Sequence, residues 1–309
     1  MKRTLLTMAL AAVLPFAANA QEDSSSLAVE GLKLSIGPSY RNFRQVHFNN
    51  ARTPAYQGFL DKDGNLHDYA GIKAYVDSQL GTAGTRATLD PLAVTVVKYD
   101  GGASRSHSGY GHEESIGFNL GLTANLWQDE TLSLDAVTNF QYFSISSGAK
   151  GAFNGASSAY TEYYFTGSGP APDTDPSDII YNLRGSYRSR FDLDLFVFDA
   201  GLSLGYTACD NLTLYLAGGP TLSIADMESS SFAAVGNGST KLAARRDRKN
   251  EVEFEWGLYA ALGAAYQFDE TFGLAAEFRY DEAFGTVGTR IAKQDLDGWG
   301  GMIKLLVSF

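Results

Sequence analysis

From Ile116 to Leu126 the even positions read Ile, Phe, Leu, Leu, Ala, Leu, and the odd positions read Gly, Asn, Gly, Thr, Asn. This strict period of two predicts a β-strand with one apolar and one small polar face. Its length suits a strand that crosses a bilayer, which takes about 9–11 residues. The pattern recurs along the chain. Leu32, Leu34, Ile36 and Tyr40 mark a strand over 31–45, and Leu132, Leu134, Ala136, Phe140 and Tyr142 mark one over 131–145. Further strands are expected over 188–207, 212–226, 251–267, 271–284 and 298–309. In the last of these Trp299, Gly301, Ile303, Leu305, Val307 and Phe309 share one face. Within 188–207 the phase changes near Phe196-Val197-Phe198, which predicts a bulge.

The intervals between these runs differ in length. Trp127–Thr131, Cys209–Leu212 and Phe268–Thr271 are tight turns rich in Asp and Asn, whose side chains bond the local backbone. The stretches 46–112, 147–187, 228–250 and 285–296 read as long loops. Within the first, Leu92–Tyr99 and Asp68–Asp77 both look strand-like. They form a hairpin outside the main sheet or, if they cross with the rest, raise the strand count from eight to ten. Short turns on one side and long loops on the other, with dyad strands between, predict an all-β, closed, antiparallel up-and-down transmembrane barrel. After residue 20 no run of 18 apolar residues exists, so no membrane-spanning helix is expected.

The two ends of the chain carry resemblances. Met1–Ala20 resembles a secretory signal peptide: Lys2 and Arg3 precede the apolar run Leu5–Phe16, and Ala18-Asn19-Ala20 is a small-x-small cleavage site. That run is shorter than the roughly 20 residues a spanning helix needs. At the other end, the half-apolar strand carrying Trp299, Ile303, Leu305, Val307 and Phe309 resembles the insertion signal of Gram-negative outer-membrane barrels. With the three turns and the dyad strands, the chain resembles the small OmpA/OmpX-type barrels over nearly all of residues 31–309. That resemblance implies a signal peptide at 1–20, a periplasmic tail at 21–30 and the barrel at 31–309. It also implies outer-membrane location, contact with lipid and lipopolysaccharide, insertion by the barrel-assembly machinery and a monomeric state. An OmpA-like peptidoglycan-binding domain is not expected, which leaves wall anchoring without support.

Composition fits this picture. Gly is high at 33, Tyr and Phe total 36 and Pro is only 8, as suits a β protein. Loss of Lys2 and Arg3 with the leader takes the formal charge from −11 to −13, which argues against nucleic acid as a partner. The single cysteine, Cys209, excludes an intramolecular disulfide and a cysteine metal cluster.

An eight-stranded barrel is just wide enough for side chains to fill it. The inward positions would carry Lys33, Arg41, Asp135, Asp192, Asp194, Glu253, Glu255, Glu277, Arg279, Asp281 and Lys304. Buried charges must pair, so these predict a polar network across the lumen, with Lys304 a partner for its acids. A water-filled lumen with the same acids would instead give a narrow cation-preferring pore.

All four histidines, His47, His67, His107 and His112, fall in the first loop with Asp61, Asp63, Asp68, Glu113 and Glu114 nearby. Their spacings match no zinc motif. Asp61-Lys-Asp63-Gly-Asn65 starts like a calcium loop but has Leu66 and Ile72 where Gly and Glu are required. No metal or cofactor is expected. Some small barrels modify lipids or cleave proteins, and Ser106-His107-Ser108 is the nearest approach to nucleophile and base. Neighbours on an extended chain point to opposite faces, however, so they do not form a dyad by themselves.

The third loop holds Arg245, Arg246, Arg248 and Lys249; with Lys241, Glu228 and Asp247 its net charge is +3 on an acidic chain. Arginine forks match phosphate geometry, so this loop is a candidate contact for lipid phosphate. It could equally neutralise Glu251, Glu253 and Glu255 beside it. The second loop, with Ala156–Tyr164 and Gly169–Pro172, has the Tyr/Ser/Gly character of adaptable contact surfaces. The expected role is structural support of the envelope and surface contact through the loops. A pore and a lipid-modifying or proteolytic enzyme are the alternatives.

Overall fold

The computed structural model describes residues 31–49, 52–80, 92–101, 107–108, 113–154, 157–164, 174–176, 183–237 and 240–309. The leader, the 21–30 tail, Ser106 and His112 lie outside the described residues. In chain order, β1 (Leu32–Phe43) is followed by β2 (His47–Phe48), β3 (Tyr56–Leu60), β4 (Leu66–Asp68), a 3-10 turn (Tyr69–Gly71) and α1 (Ile72–Leu80). Next come β5 (Leu92–Tyr99), β6 (His107–Ser108), β7 (Glu113–Gln128), β8 (Leu132–Asn154), β9 (Ser157–Tyr164) and β10 (Thr174–Pro176). The remainder is β11 (Arg184–Cys209), β12 (Leu212–Asn237), β13 (Thr240–Gln267), β14 (Phe272–Ala283), β15 (Thr286–Gly288), β16 (Ala292–Asp295) and β17 (Gly298–Ser308).

The main sheet is antiparallel and pairs in the order β1-β17-β14-β13-β12-β11-β8-β7, with β7 returning to β1. Leu34 has Val307 on one side and Leu122 on the other, so the first strand has no free edge there. Outward rows carry Ile36, Ile116, Phe118, Leu202, Leu204, Leu216, Leu262, Ile303 and Leu305, all exposed. Inward rows carry Ser35, Asn119, Ser203, Glu277 and Lys304, all buried. The three Asp/Asn turns and both described ends lie together at one end of the ring.

Strand length breaks the symmetry. β1, β14 and β17 have 12, 12 and 11 residues, near the minimum for a crossing, whereas β11, β12 and β13 have 26, 26 and 28. The longer strands, with β8, continue past their neighbours as a projecting sheet. The expected loops over 147–187 and 228–250 are therefore corrected in large part to strand. Their turn-like composition was misleading, because in water a strand needs no apolar outer face. The expected bulge at Phe196–Phe198 is also corrected: β11 keeps register with β12 through that point and shifts only between Thr207 and Cys209.

What changes at Phe196 is chemistry, not geometry. Below it the outward residues of β11 are Phe198, Ala200, Leu202, Leu204 and Tyr206; above it they are Asp194, Asp192, Arg190 and Arg188. The inward residues beside and above it are Val197, then Leu195, Leu193 and Phe191, all buried. They pack with Phe43, Val46, Phe48, Phe143, Met227, Val287 and Leu296 in an apolar core. On β8, β11 and β12 polar-in, apolar-out becomes apolar-in, polar-out at the row Tyr142–Phe196–Ile224, whereas β13 keeps Glu253, Glu251 and Lys249 on its inner side above Phe254.

Two smaller sheets stand at this end. One pairs as β10-β9-β5-β3-β4 and the other as β15-β16-β2-β6. Leu92–Tyr99 is thus a strand outside the ring. Asp68–Asp77 is corrected to helix: Asp68 caps the 3-10 turn through the Ala70 amide at 3.0 Å, and Ile72 and Val76 bury one helical face. Lys73 and Asp77 add an i,i+4 pair at 2.9 Å on the other face.

Candidate functional site

The lumen has three levels. At the turn end, Lys33, Asp135, Asn125, Asp210, Glu270 and Glu277 help line a cavity of about 490 Å3. Above it an ionic layer crosses the ring. Lys304 donates to Glu277 Oε2 at 2.6 Å, and the Tyr215 hydroxyl donates to the same oxygen at 2.9 Å. Tyr215, Gly263 and Glu277 occupy one cross-strand row, and a Cβ at Gly263 would overlap the Tyr215 ring. The glycine is what lets the phenol reach across its own neighbour strand.

Arg279 lies higher and is 1% exposed. It forks onto Asp281 through Nε and Nη2, at 2.6–3.0 Å, and onto Asp199 of β11 through Nη1 and Nη2. The Tyr259 ring lies 4.1 Å beneath its guanidinium carbon. Gln141 completes Asp199 at 3.1 Å, while Arg41 approaches Asp281 at 3.6 Å and donates to the Leu296 carbonyl at 2.8 Å. Four walls, β1, β8, β11 and β14, are tied together by this layer. The apolar core of the upper ring lies above it.

Most of the expected lumenal residues therefore face inward. Lys33, Asp135, Glu277 and Lys304 line the cavity, and Arg41, Arg279 and Asp281 form the layer. Glu253 lies on the inner side of β13, accepting from the Gly288 amide at 2.9 Å, and Glu255 lies beside Gly285. Asp192 and Asp194 are corrected to the outer face. They stand above the row where polarity inverts, with Asp192 held by Arg190 at 2.8 Å and Asp194 by the Tyr142 hydroxyl at 2.9 Å. Asp199, the acid that meets Arg279, takes the place assigned to them. Its signal was present, since Asp199 shares a face with Ser203 and Gly205, but the imagined bulge displaced the phase.

The basic run of β13 divides by strand alternation. Arg246 and Arg248 face outward, whereas Arg245 and Lys249 face inward opposite Ala233 and Ser229. The outward pair joins Lys150, Arg184, Arg188 and Arg190 on neighbouring strands, in rows such as Lys150–Arg188–Phe232–Arg246. Arg248 meets Glu228 at 2.6 Å. Among the described residues Lys150, Arg184, Arg188 and Arg246 have no carboxylate partner. On the inner face Lys249 meets Glu251 at 3.2 Å, which is the neutralisation the sequence offered as its second reading.

The β10-β9-β5-β3-β4 sheet buries one carboxylate. Glu162, 3% exposed, accepts from Tyr69 at 3.1 and 3.2 Å and from Tyr164. The phenols of Tyr69, Tyr160 and Tyr164 are pushed up, first by burial and then by Glu162. A raised phenol contributes stability below its ordinary value, about 10, and loses it as pH rises through the folded value. This sheet should accordingly be at full stability below pH ~10 and lose stability as the pH rises above it. In Glu162→Gln the absorbance titration of these tyrosines should move down toward the ordinary range; an unmoved midpoint would leave the carboxylate without influence.

Among the described residues no group of three or more His, Cys, Asp or Glu side chains converges on a metal position. Asp61 is engaged locally, accepting from the Asp63 and Asn65 amides at 2.9 and 2.8 Å and pairing with His67 at 2.8 Å. Its carboxyl is held well below the usual range, chiefly by His67 and then by Asn65.

No protein-family model and no curated protein matches the sequence. Solved structures do. The chain is similar to Ail, the attachment invasion locus protein of Yersinia pestis, at 11% identity and a TM-score of 0.33, over 91% of this chain and 99% of Ail. It is similar to the outer membrane protein OprG from Pseudomonas aeruginosa at 10% identity and 0.34, over 91% and 96%. It is also similar to the outer membrane protease OmpT from Escherichia coli at 13% identity and 0.26, over 90% and 93%. The architecture rests on the strand pairing itself, and no residue role passes from these proteins to this chain.

Proposed function

We propose that this chain is a closed eight-stranded outer-membrane barrel with a filled lumen, whose work is surface contact through the projecting sheet. The inversion of polarity on β8, β11 and β12 at Tyr142–Phe196–Ile224 carries this reading. A sheet in water throughout would have no reason to exchange its apolar face part-way along continuous strands. An apolar outer face bounded by lipid, and a polar one above it, accounts for the exchange. Between Phe196 and Tyr206 the outward band is about 25 Å tall for strands rising ~3.3 Å per residue and tilted ~40°. Aromatic residues rim both edges: Tyr40, Phe254, Trp256 and Trp299 above, and Trp127, Tyr206, Tyr266 and Phe268 below.

In this orientation the short turns face the periplasm and the projecting sheet stands outside the cell. The chain is exported by a leader cleaved after Ala20. The outward row of Trp299, Ile303, Leu305, Val307 and Phe309 is the surface offered to lipid and the assembly machinery. The ionic layer and the apolar core oppose the pore reading, because the 490 Å3 cavity reaches up only to the layer, where Glu277, Lys304 and Tyr259 line it.

Lys150, Arg188, Arg190, Arg246 and Arg248 stand roughly 15–20 Å above the last apolar row, by the same rise and tilt. That height and their guanidinium forks suit phosphates on the sugars of neighbouring lipopolysaccharide. Replacing Arg188, Arg190, Arg246 and Arg248 together with Gln is expected to lower the lipopolysaccharide retained through detergent extraction several-fold. Unchanged retention would reject the contact. In planar bilayers the wild-type chain is expected to pass no steady current, and unit conductances would reject the filled lumen.

A further inference from the structure

The inner face of the projecting sheet carries a second group of cations, separated from the outer tier by the strand itself. Arg245 and Asp247 stand opposite Ala233 and Ser231 on this face. Arg290, from the β15–β16 connection, and Arg52, from the segment after β2, reach the same place. Together they wall a cavity of about 360 Å3.

Its parts are held in position. Asp247 accepts from Arg290 Nη2 at 2.9 Å through one oxygen and from Arg245 Nη2 at 3.2 Å through the other. One carboxylate thus bridges two guanidinium groups, each more than half exposed, and cancels only one of their charges. Asn49 clamps the Arg290 loop, its amide donating to the Ile291 carbonyl at 2.8 Å and its Nδ2 to the Arg290 carbonyl at 2.8 Å. Arg52 has no carboxylate partner among the described residues. Three planar forks against one carboxylate leave a net charge of +2.

Two guanidinium groups bridged by one carboxylate, with a third unneutralised, complement an oxyanion of two charges better than a carboxylate of one. The volume exceeds what a bare phosphate fills and lies in the range of small-molecule sites, about 300–1,000 Å3. Ser231 and Asn49 offer polar groups for hydroxyls, and Ala233 and Ile291 an apolar patch for a sugar face.

We propose that this pocket binds a sugar-sized phosphomonoester. The site rests on the external position given to the projecting sheet above. Arg245 and Asp247 lie on the face of β13 opposite Arg246 and Arg248, so the pocket is distinct from the outward tier.

The test is calorimetric titration of the full chain, folded in detergent, with glucose 6-phosphate, glucose and inorganic phosphate. Glucose 6-phosphate is expected to bind, more tightly than inorganic phosphate, and glucose is not. Arg52→Gln should weaken binding about tenfold or more, while Lys73→Gln on α1 should leave it unchanged. Phosphorylated core oligosaccharide released from lipopolysaccharide is titrated alongside. Tighter binding of the core makes the membrane's own glycan the source, and tighter binding of glucose 6-phosphate makes it a solute. Absence of binding at millimolar ligand, or equal affinity in the wild type and Arg52→Gln, would overturn the proposal. Retained heat-modifiable migration verifies folding of each variant. A chain that inserts into outer membrane and shows no such binding refutes the pocket alone; a chain that does not insert refutes the location on which it rests.

Discussion

Arg279→Met is expected to destabilise the folded chain by about 3–5 kcal/mol, because it leaves Asp199 and Asp281 buried without their shared cation. Both acids are buried and reach Arg279 through charge-assisted hydrogen bonds. Arg41 offers Asp281 only a longer contact, at 3.6 Å, and cannot replace the lost fork. Adding Asp199→Asn to Arg279→Met should recover a substantial part of the loss. The amide can still bond Gln141, and the remaining acid keeps Arg41. Equilibrium guanidinium unfolding in lipid vesicles, followed by tryptophan fluorescence, measures both. A loss below about 1 kcal/mol would mean that the layer is hydrated and open, contrary to the filled lumen.

The second large effect concerns the outer surface. Leu202 lies near mid-height of the apolar band, 52% exposed and pointing away from the lumen. Leu202→Arg should cost about 2–4 kcal/mol of folding stability in a bilayer, the range for a cation at the midplane. Ser146→Arg stands above the inversion row on neighbouring β8, also exposed, and should change stability by less than about 1 kcal/mol. Equal small effects at both positions would show that lipid does not cover the band. The contrast also locates the membrane boundary, since arginines stepped along the outward row of β11 should become tolerated as they pass Phe196.

Much of the strand content was legible because alternation is local. Even residues from Ile116 to Ala124 and odd residues from Trp299 to Val307 face outward as their pattern requires, while β7 shifts register at Leu126 and Phe309 lies past the last strand. The three Asp/Asn turns were legible for the same reason. Asp129 and Asp269 show how, each bonding a backbone amide one to three residues ahead. Lys304 was legible as a partner for a lumenal acid, and Glu277 is that acid.

The errors share one cause. Which face of a strand is apolar depends on what covers each face, and that is not a local property. Asp192 and Asp194 look inward if apolar is assumed to mean lipid throughout β11. Above Phe196 the buried side is instead covered by Phe43, Phe48, Val287 and Leu296 from distant segments, so Leu193 and Leu195 turn in. The same assumption made charged strand look like loop over 240–250. There Arg246 and Arg248 face outward, and Arg245 and Lys249 face inward.

By itself the sequence determined the alternation, the tight turns, the small inward residues and the excess of pairable charge. Each is written in neighbouring residues or in composition. Only the tertiary structure decided which acid meets Arg279, where the polarity of the strands inverts, and that Arg52, Arg245 and Arg290 gather round Asp247. These contacts join residues 80, 43 and more positions apart in the chain. Strand register and the closure of the ring set such distances, and no local pattern encodes them.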